Sequence, residues 1–155
     1  MILSPHRVAA TSATATANRS QAMTLLAFRI CIAPLFYYSG ILKVANFAAT
    51  AASIPGGGQA FGQVLIAGAI VVELGVVSAL LIGLFARQAA LAVALYVMAA
   101  TFMYHQFWLV PEEQVVGQVI NFLKNLGLIA GLSLIVAFGP GPYSIGANWS
   151  REAAG

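Results

Sequence analysis

The sequence predicts an all-α protein, a polytopic membrane four-helix bundle with antiparallel up-down topology. Of its 155 residues, 61% are hydrophobic and 7% are charged, and the mean hydropathy is +0.91. A soluble domain carries about 25% charged residues. Four apolar segments each approach the roughly 20 residues that a helix needs to cross the hydrocarbon core. Barrel strands would be about half as long and would alternate in polarity. The predicted spans are residues 22–44, 62–85, 88–110 and 118–138.

The residues before the first span are rich in alanine, threonine and serine and contain no acidic residue. Residues 1–21 are therefore predicted to form a disordered cytoplasmic tail. They hold no continuous apolar region, so we expect no secretory signal peptide here. An organelle transit peptide is the less favoured alternative.

The first span is apolar but carries Arg29 and Lys43. A charge near the centre of a membrane helix costs about 2.5–3.5 kcal/mol on insertion scales. Helical spacing places both residues on one narrow face with Phe36 and Gly40, so that face needs polar partners from the other spans. The same span holds Cys31, the one cysteine of the chain, which excludes an intramolecular disulfide and dithiol chemistry.

Helix-breaking residues separate the spans. The connection 45–61 contains Pro55 followed by three glycines, and Pro111 ends the third span. The link at Ala86–Arg87 is so short that the second and third spans must be antiparallel neighbours. Two prolines within 139–142 end the fourth span. These limits define a membrane domain over 22–146 and a short cytoplasmic tail over 147–155.

The basic residues outside the spans predict the orientation. Positive residues concentrate in the cytoplasmic loops of membrane proteins. On one side of a four-span arrangement lie Arg7, Arg19, Arg87 and Arg151, and on the other lie Glu112 and Glu113. We therefore expect a multi-pass protein of the bacterial cytoplasmic (inner) membrane with both termini in the cytoplasm.

Glu73 is the one acidic residue in the interior of a predicted span. Counting depth at about 1.5 Å per residue places it roughly one helical turn from Arg29. We therefore predict an Arg29–Glu73 ion pair between the first two spans, with Lys43 and Lys124 as competing partners. Two interpretations stay open. The pair is either a purely structural contact or the charged wall of a ligand or proton site.

A second polar group lies on the fourth span. Asn121, Lys124 and Asn125 share one helical face because they are spaced by three and four residues. With His105 and Lys43 they are predicted to line a polar cavity open towards the outer face, and these five are the candidate cofactor-binding residues. His105 also fits an ordinary interfacial role. The chain has no aspartate and too few donors for a closed metal site, so no metal is expected. No catalytic residue is assigned.

Four segments carry a family resemblance. They are Arg29 followed by Y-S-G-I-L-K-V at 38–44, V-E-L-G to L-I-G-L-F-A-R at 72–87, N-F-L-K-N-L-G-L at 121–128, and F-G-P-G-P-Y-S-I at 138–145. In order and spacing these four segments resemble four motifs of the DoxX family. The motifs are an arginine followed by S/A-G-x-x-K, then E-x-x-G-G…L-G-L-x-T-R, then F-x-K-N-L-x-L-L, and finally G-P-G-x-x-S-L-D. The chain departs from that pattern at Gly146, where the family has aspartate, and at Val76, where a second glycine is usual.

The resemblance implies a four-helix membrane bundle and a redox setting. The family takes its name from a subunit associated with a quinol oxidase and a thiosulfate:quinone oxidoreductase. Other members resemble membrane partners of oxidative-stress or sulfur-handling proteins, and distant eukaryotic relatives act as cargo receptors or chaperones.

Two functions follow as hypotheses. The first is a redox-linked membrane subunit that holds a quinone, with no covalently bound cofactor, and works with a partner oxidoreductase. The alternative is a non-catalytic scaffold or chaperone that recruits a partner protein through residues 45–61 and 111–117. The sequence carries no self-contained catalytic motif. Its basic residues are scattered, so nucleic acid is not an expected partner. The lipid bilayer is one expected partner, a redox or scaffolded protein is another, and a homo-oligomer stays open.

Overall fold

The structure, a computed structural model, describes residues 5–54 and 58–145, with side chains described from Arg19 onward. Its regular elements are α1 (Pro5–Ala45), α2 (Phe47–Ala52), α3 (Gly58–Ile70), a π-helical segment (Val71–Val76), α4 (Val77–Ile82), α5 (Ala86–Tyr104) and α6 (Glu112–Phe138). No strand occurs within the described ranges. The predicted all-α class is therefore confirmed.

Within the described residues, four helices are long and apolar enough to cross a membrane. We call them spans one to four, and they run over Arg19–Ala45, Gln59–Ile82, Ala86–Tyr104 and Glu112–Phe138. Span two is one rod made of α3, the π-helical segment and α4. Their number agrees with the predicted bundle, and their bounds differ by a few residues from the predicted ones. The largest difference is in span three, which ends at Tyr104 because the chain turns over residues 105–110 before Pro111.

The first helix is longer than its span. α1 begins at Pro5, whereas the sequence predicted a disordered tail through residue 21. Alanine has the highest helix propensity, and the alanine-rich composition of this stretch favours the helical continuation. The predicted tail over 147–155 lies outside the described residues.

The core of the bundle is built from aliphatic and small side chains. Its fully buried members are contributed mainly by spans one to three, with Leu132 and Ile135 from span four. Small residues let the helices approach closely, as in other membrane bundles. A Cβ placed on Gly40 would lie 2.6 Å from Leu74 Cδ2, and one on Gly131 would collide with the ring of Phe28. Span one therefore packs tightly on spans two and four.

The end of the bundle that carries Arg87, here called the Arg87 end, is closed by residues 139–145. Gly141 lies against Leu25 and Ala22 of span one. Gly83 turns the chain between α4 and α5 at a φ of +79°, and a Cβ there would collide with Ser144. This left-handed backbone conformation favours glycine. The segment after span four thus returns along span one to the turn between spans two and three.

Candidate functional site

Glu73 lies near the middle of span two and is only 3% exposed. It belongs to the π-helical segment Val71–Val76, which interrupts the α-helical hydrogen bonding of the rod. Such single π-helical turns occur frequently at functional sites. Because a carboxylate is expensive to bury in a membrane, its partners decide what it can do.

Glu73 forms an ion pair with Lys43. Lys43 Nζ lies 2.9 Å from Oε1 and 3.0 Å from Oε2, and it also donates to Ser39 Oγ at 2.6 Å. Ser39 Oγ in turn donates to Glu73 Oε1 at 3.0 Å, and the Tyr96 hydroxyl donates to the same oxygen at 2.5 Å. The carboxylate therefore receives donors from spans one and three. We call Ser39, Lys43, Glu73 and Tyr96 the Glu73 cluster.

The predicted Arg29–Glu73 ion pair is wrong, because Arg29 binds elsewhere. Its guanidinium is fully buried and donates to the carbonyl oxygens of Leu81, at 3.0 Å from Nη1, and Tyr143, at 2.5 Å from Nη2. The depth estimate from the sequence placed the ends of neighbouring spans at the same level. In the structure the turn at Gly83 lies beside Arg29 itself, with a Cβ there only 2.8 Å from Nη1. Span one is therefore shifted along span two relative to the predicted arrangement. Glu73 lies level with Gly40, whose Cβ position is 3.2 Å from Glu73 Cβ, and within reach of Lys43.

A cavity of about 360 Å³ opens beside the Glu73 cluster, and we call it the Glu73 cavity. Its apolar walls include Leu35 and Phe36 of span one and Leu128 of span four. Of the five residues predicted to bind a cofactor, four line this one cavity: Lys43, His105, Lys124 and Asn125. The fifth, Asn121, is absent from its lining and accepts a hydrogen bond from Lys124 at 2.9 Å. Their role in binding stays a prediction.

Hydrogen bonds hold two of these polar side chains in place. His105 Nδ1 lies 2.8 Å from Gln118 Oε1, which connects the loop after α5 to α6. Asn125 Nδ2 donates to Thr101 Oγ1 at 2.9 Å in the buried interface between the same helices. Spans three and four are thus fixed to each other where they line the cavity. Its shape is therefore largely preformed.

The charges of the cavity favour a ligand rich in acceptor atoms. Lys43 and Glu73 neutralise each other, and Lys124 adds a second ammonium group at the exposed rim. An ammonium group has three donors and no acceptor. Those of Lys43 are held by Ser39 and Glu73, so Lys124, which donates to Asn121, is the side chain that suits a carbonyl or anionic oxygen. Among the described residues there is no group of three histidine, cysteine or acidic side chains able to hold a metal ion.

Sequence reasoning missed Ser39 and Tyr96. Ser39 had a usable signal, because it lies four residues before Lys43 and therefore on the same helical face. The sequence indicated Tyr96 only weakly. It is a tyrosine deep within an apolar span, and its hydroxyl needs a hydrogen-bond partner there. The π-helical segment had no signal, because apart from Glu73 its residues are as apolar as the rest of span two.

Comparison with known proteins gives one family and one curated relative. The sequence model of the family described as DoxX matches residues 24–106, which is more than half of the chain. The inner membrane protein YphA of Escherichia coli (strain K12) is 26% identical over 121 residues, covering 78% of this chain and 86% of that protein. No solved structure matches the chain significantly.

Proposed function

The chain belongs to the DoxX family of integral membrane proteins, and on that basis we propose that it is a redox-linked subunit that holds a quinone and works with a partner oxidoreductase. The observation that carries the proposal is the Glu73 cavity, where an ion pair, a tyrosine, a histidine and a second lysine meet inside an apolar bundle. The proposal names a ligand class and a kind of partner and leaves the partner's own reaction open.

The residues of the cavity fit a quinone headgroup. The volume of about 360 Å³ lies within the roughly 300–1,000 Å³ of small-molecule sites, which are mostly apolar with a few placed polar groups. Lys124 presents ammonium donors that suit a carbonyl oxygen of a quinone ring, whereas the donors of Lys43 are held by Ser39 and Glu73. Leu35, Phe36 and Leu128 provide apolar contact for its faces.

A bound quinone supplies two-electron, two-proton chemistry, with the electrons drawn from the redox centre of the partner. The protein's own part concerns protons. Tyr96 and Lys43 both carry protons next to the cavity, and both donate to the carboxylate of Glu73. When Lys43 gives a proton to the headgroup, Glu73 can take the phenolic proton of Tyr96 and pass it to the Lys43 amine, and Tyr96 then regains a proton from water that enters the cavity.

The relative and the charges of the loops support the proposed location. YphA of Escherichia coli is an inner membrane protein, and we place this chain in the same kind of membrane. Arg87 lies at the turn between spans two and three, and Glu112 and Glu113 lie at the opposite end, in the first turn of span four. The positive-inside rule then places the Arg87 end and both termini in the cytoplasm. The Glu73 cavity would open in the outer half of the bilayer.

Quinone binding tests the proposal. The full-length protein is reconstituted in lipid nanodiscs and titrated calorimetrically with a tailless ubiquinone-type and a tailless menaquinone-type headgroup. We expect one of them to bind saturably. Lys124→Ala should weaken binding about threefold or more, because one donor at the rim is lost, while Lys43, Glu73 and the fold stay intact. Absence of binding to the wild-type protein by both headgroups would contradict the proposal.

A non-catalytic scaffold is the competing function. One feature of the loop after α5 favours it. Trp108 and Leu109 are 50% and 69% exposed there, at a point where a partner protein could dock. Affinity purification from gently solubilised membranes separates the two functions. A stoichiometric partner without a redox centre, together with no quinone binding, would favour the scaffold. Co-purification of an oxidoreductase supports the redox-linked subunit.

A further inference from the structure

A second cavity of about 310 Å³ lies between spans two and three. Its lining is apolar or small apart from Lys43, Tyr96 and Tyr104. Two of its outer residues, Val64 and Met103, are 70% and 47% exposed on the lipid-facing surface of the bundle. We call it the apolar groove. It opens sideways towards the hydrocarbon of the bilayer.

The apolar groove and the Glu73 cavity meet at a shared wall. Five residues line both, namely Lys43, Ile66, Tyr96, Ala100 and Tyr104. One space is polar and the other apolar, so together they match a molecule with a polar head and a hydrocarbon tail. The two volumes are side by side at the same depth, because the same five side chains bound them.

Gly68 makes room in the apolar groove. It lines the groove, and a Cβ built on it would meet nothing within 4 Å. Glycine costs about 1 kcal/mol relative to alanine in a helix interior, so helix propensity does not favour it here. The missing side chain leaves open the space through which a chain of methylene groups would pass.

We propose that the apolar groove holds the isoprenoid tail of the quinone whose headgroup occupies the Glu73 cavity, so that the ligand enters and leaves between spans two and three. This inference rests on the proposed function. It adds the route of the tail and names Gly68 as the residue that keeps the route open. The alternative route lies beside Leu35 and Leu128, where the Glu73 cavity contacts spans one and four.

The test measures, in three proteins, how strongly quinone binding depends on the tail. Wild type, Gly68→Leu and Gly127→Leu are reconstituted in identical nanodiscs and titrated with a quinone bearing a ten-carbon tail and with its tailless headgroup. Gly127 is the matched control, because it is also a glycine in a span with nothing within 4 Å of its Cβ, but it lines neither cavity. Partition of the tailed quinone into lipid is the same in all three samples and cancels in the comparison.

We expect Gly68→Leu to weaken binding of the tailed quinone five- to tenfold and to leave the tailless headgroup within twofold of wild type. Gly127→Leu should change neither. A photoreactive group at the end of the tail should label the segment around Val64 or Met103. If Gly68→Leu has no effect on the tailed quinone, or if labelling maps to Leu35 or Leu128, the proposed route is wrong while the quinone site stands. If neither quinone binds wild type, the proposed function fails and this inference fails with it.

Discussion

Lys43 on span one and Glu73 on span two form an ion pair, with Nζ 2.9 Å from Oε1 and 3.0 Å from Oε2. The exposed fractions of the two side chains are 21% and 4%. The pair therefore lies at the inner edge of the Glu73 cavity, where lysine faces the ligand space and glutamate faces the protein. The carboxylate holds the ammonium group in position, and the two together define the polar end of the site.

Removing one partner of this pair should cost more than removing both. Lys43→Met leaves the Glu73 carboxylate buried without its counter-ion, and Glu73→Gln leaves the ammonium group without its own. Each change should lower the free energy of unfolding by about 3 kcal/mol, which is typical of breaking a buried ion pair. The double variant should recover most of that loss. Thermal unfolding of the solubilised protein measures all three, and additive losses in the double variant would argue against the coupling.

Tyr96→Phe should separate stability from activity. The change removes the hydroxyl that donates to Glu73 Oε1 and keeps the ring. Because Ser39 and Lys43 still bind the carboxylate, we expect a stability loss of about 1 kcal/mol. Quinone-linked turnover with the partner should fall roughly tenfold or more if the hydroxyl moves a proton. Tyr38→Phe is the control, since that tyrosine is 70% exposed on the lipid side. Equal turnover in both variants would exclude the proton role.

Arg29→Lys should destabilise the bundle although the charge is kept. The guanidinium reaches two carbonyl oxygens on separate segments, Leu81 O and Tyr143 O. A lysine presents one nitrogen on a flexible stem and cannot reproduce that fork. Loss of one charged hydrogen bond corresponds to about 2 kcal/mol. Arg87→Lys, at an exposed arginine of the same end, should change stability by less than about 0.5 kcal/mol. Comparable melting temperatures for the two variants would contradict this role of Arg29.

The two glycines of G-x-x-x-G on span four should respond differently to valine. A Cβ on Gly131 collides with the Phe28 ring, whereas one on Gly127 meets nothing within 4 Å. Gly131→Val should therefore lower stability by about 1–3 kcal/mol through overpacking, and Gly127→Val should be close to neutral. Thermal unfolding in one detergent provides the measurement. If Gly127→Val instead disrupts an oligomer seen by size-exclusion chromatography, that glycine belongs to an interface between copies.

Reporter fusions test the proposed orientation. A fluorescent protein that matures only in the cytoplasm should be bright when fused to either terminus, because an even number of spans returns the chain to the same side. Alkaline phosphatase fused after Val110 should be active, since that loop lies at the opposite end from Arg87. Dark terminal fusions with an active phosphatase at the C-terminus would reverse the orientation.

Hydropathy predicted the spans, and depth together with helical face grouped the candidate polar residues, because these depend on local properties of the chain. Lys43, His105, Lys124 and Asn125 could be grouped from depth and helical face alone, and they line one cavity. The partner of Glu73 could not be found this way. It depends on the offset between spans, which is set where the turn at Gly83 packs against Arg29. That contact joins distant parts of the chain, and no local pattern encodes it.

The contact between Arg29 and Tyr143 also has a consequence for the synthesis of the protein. Arg29 enters the membrane with the first span, but one of its two acceptors belongs to the last described segment of the chain. Until residue 143 has been translated, one guanidinium nitrogen lacks that acceptor. The hydrocarbon core of the bilayer offers no other acceptor. A nascent or prematurely terminated chain therefore carries an incompletely bonded cation within the bilayer. Such chains should be preferred substrates for membrane proteases, whereas the finished protein should be long-lived.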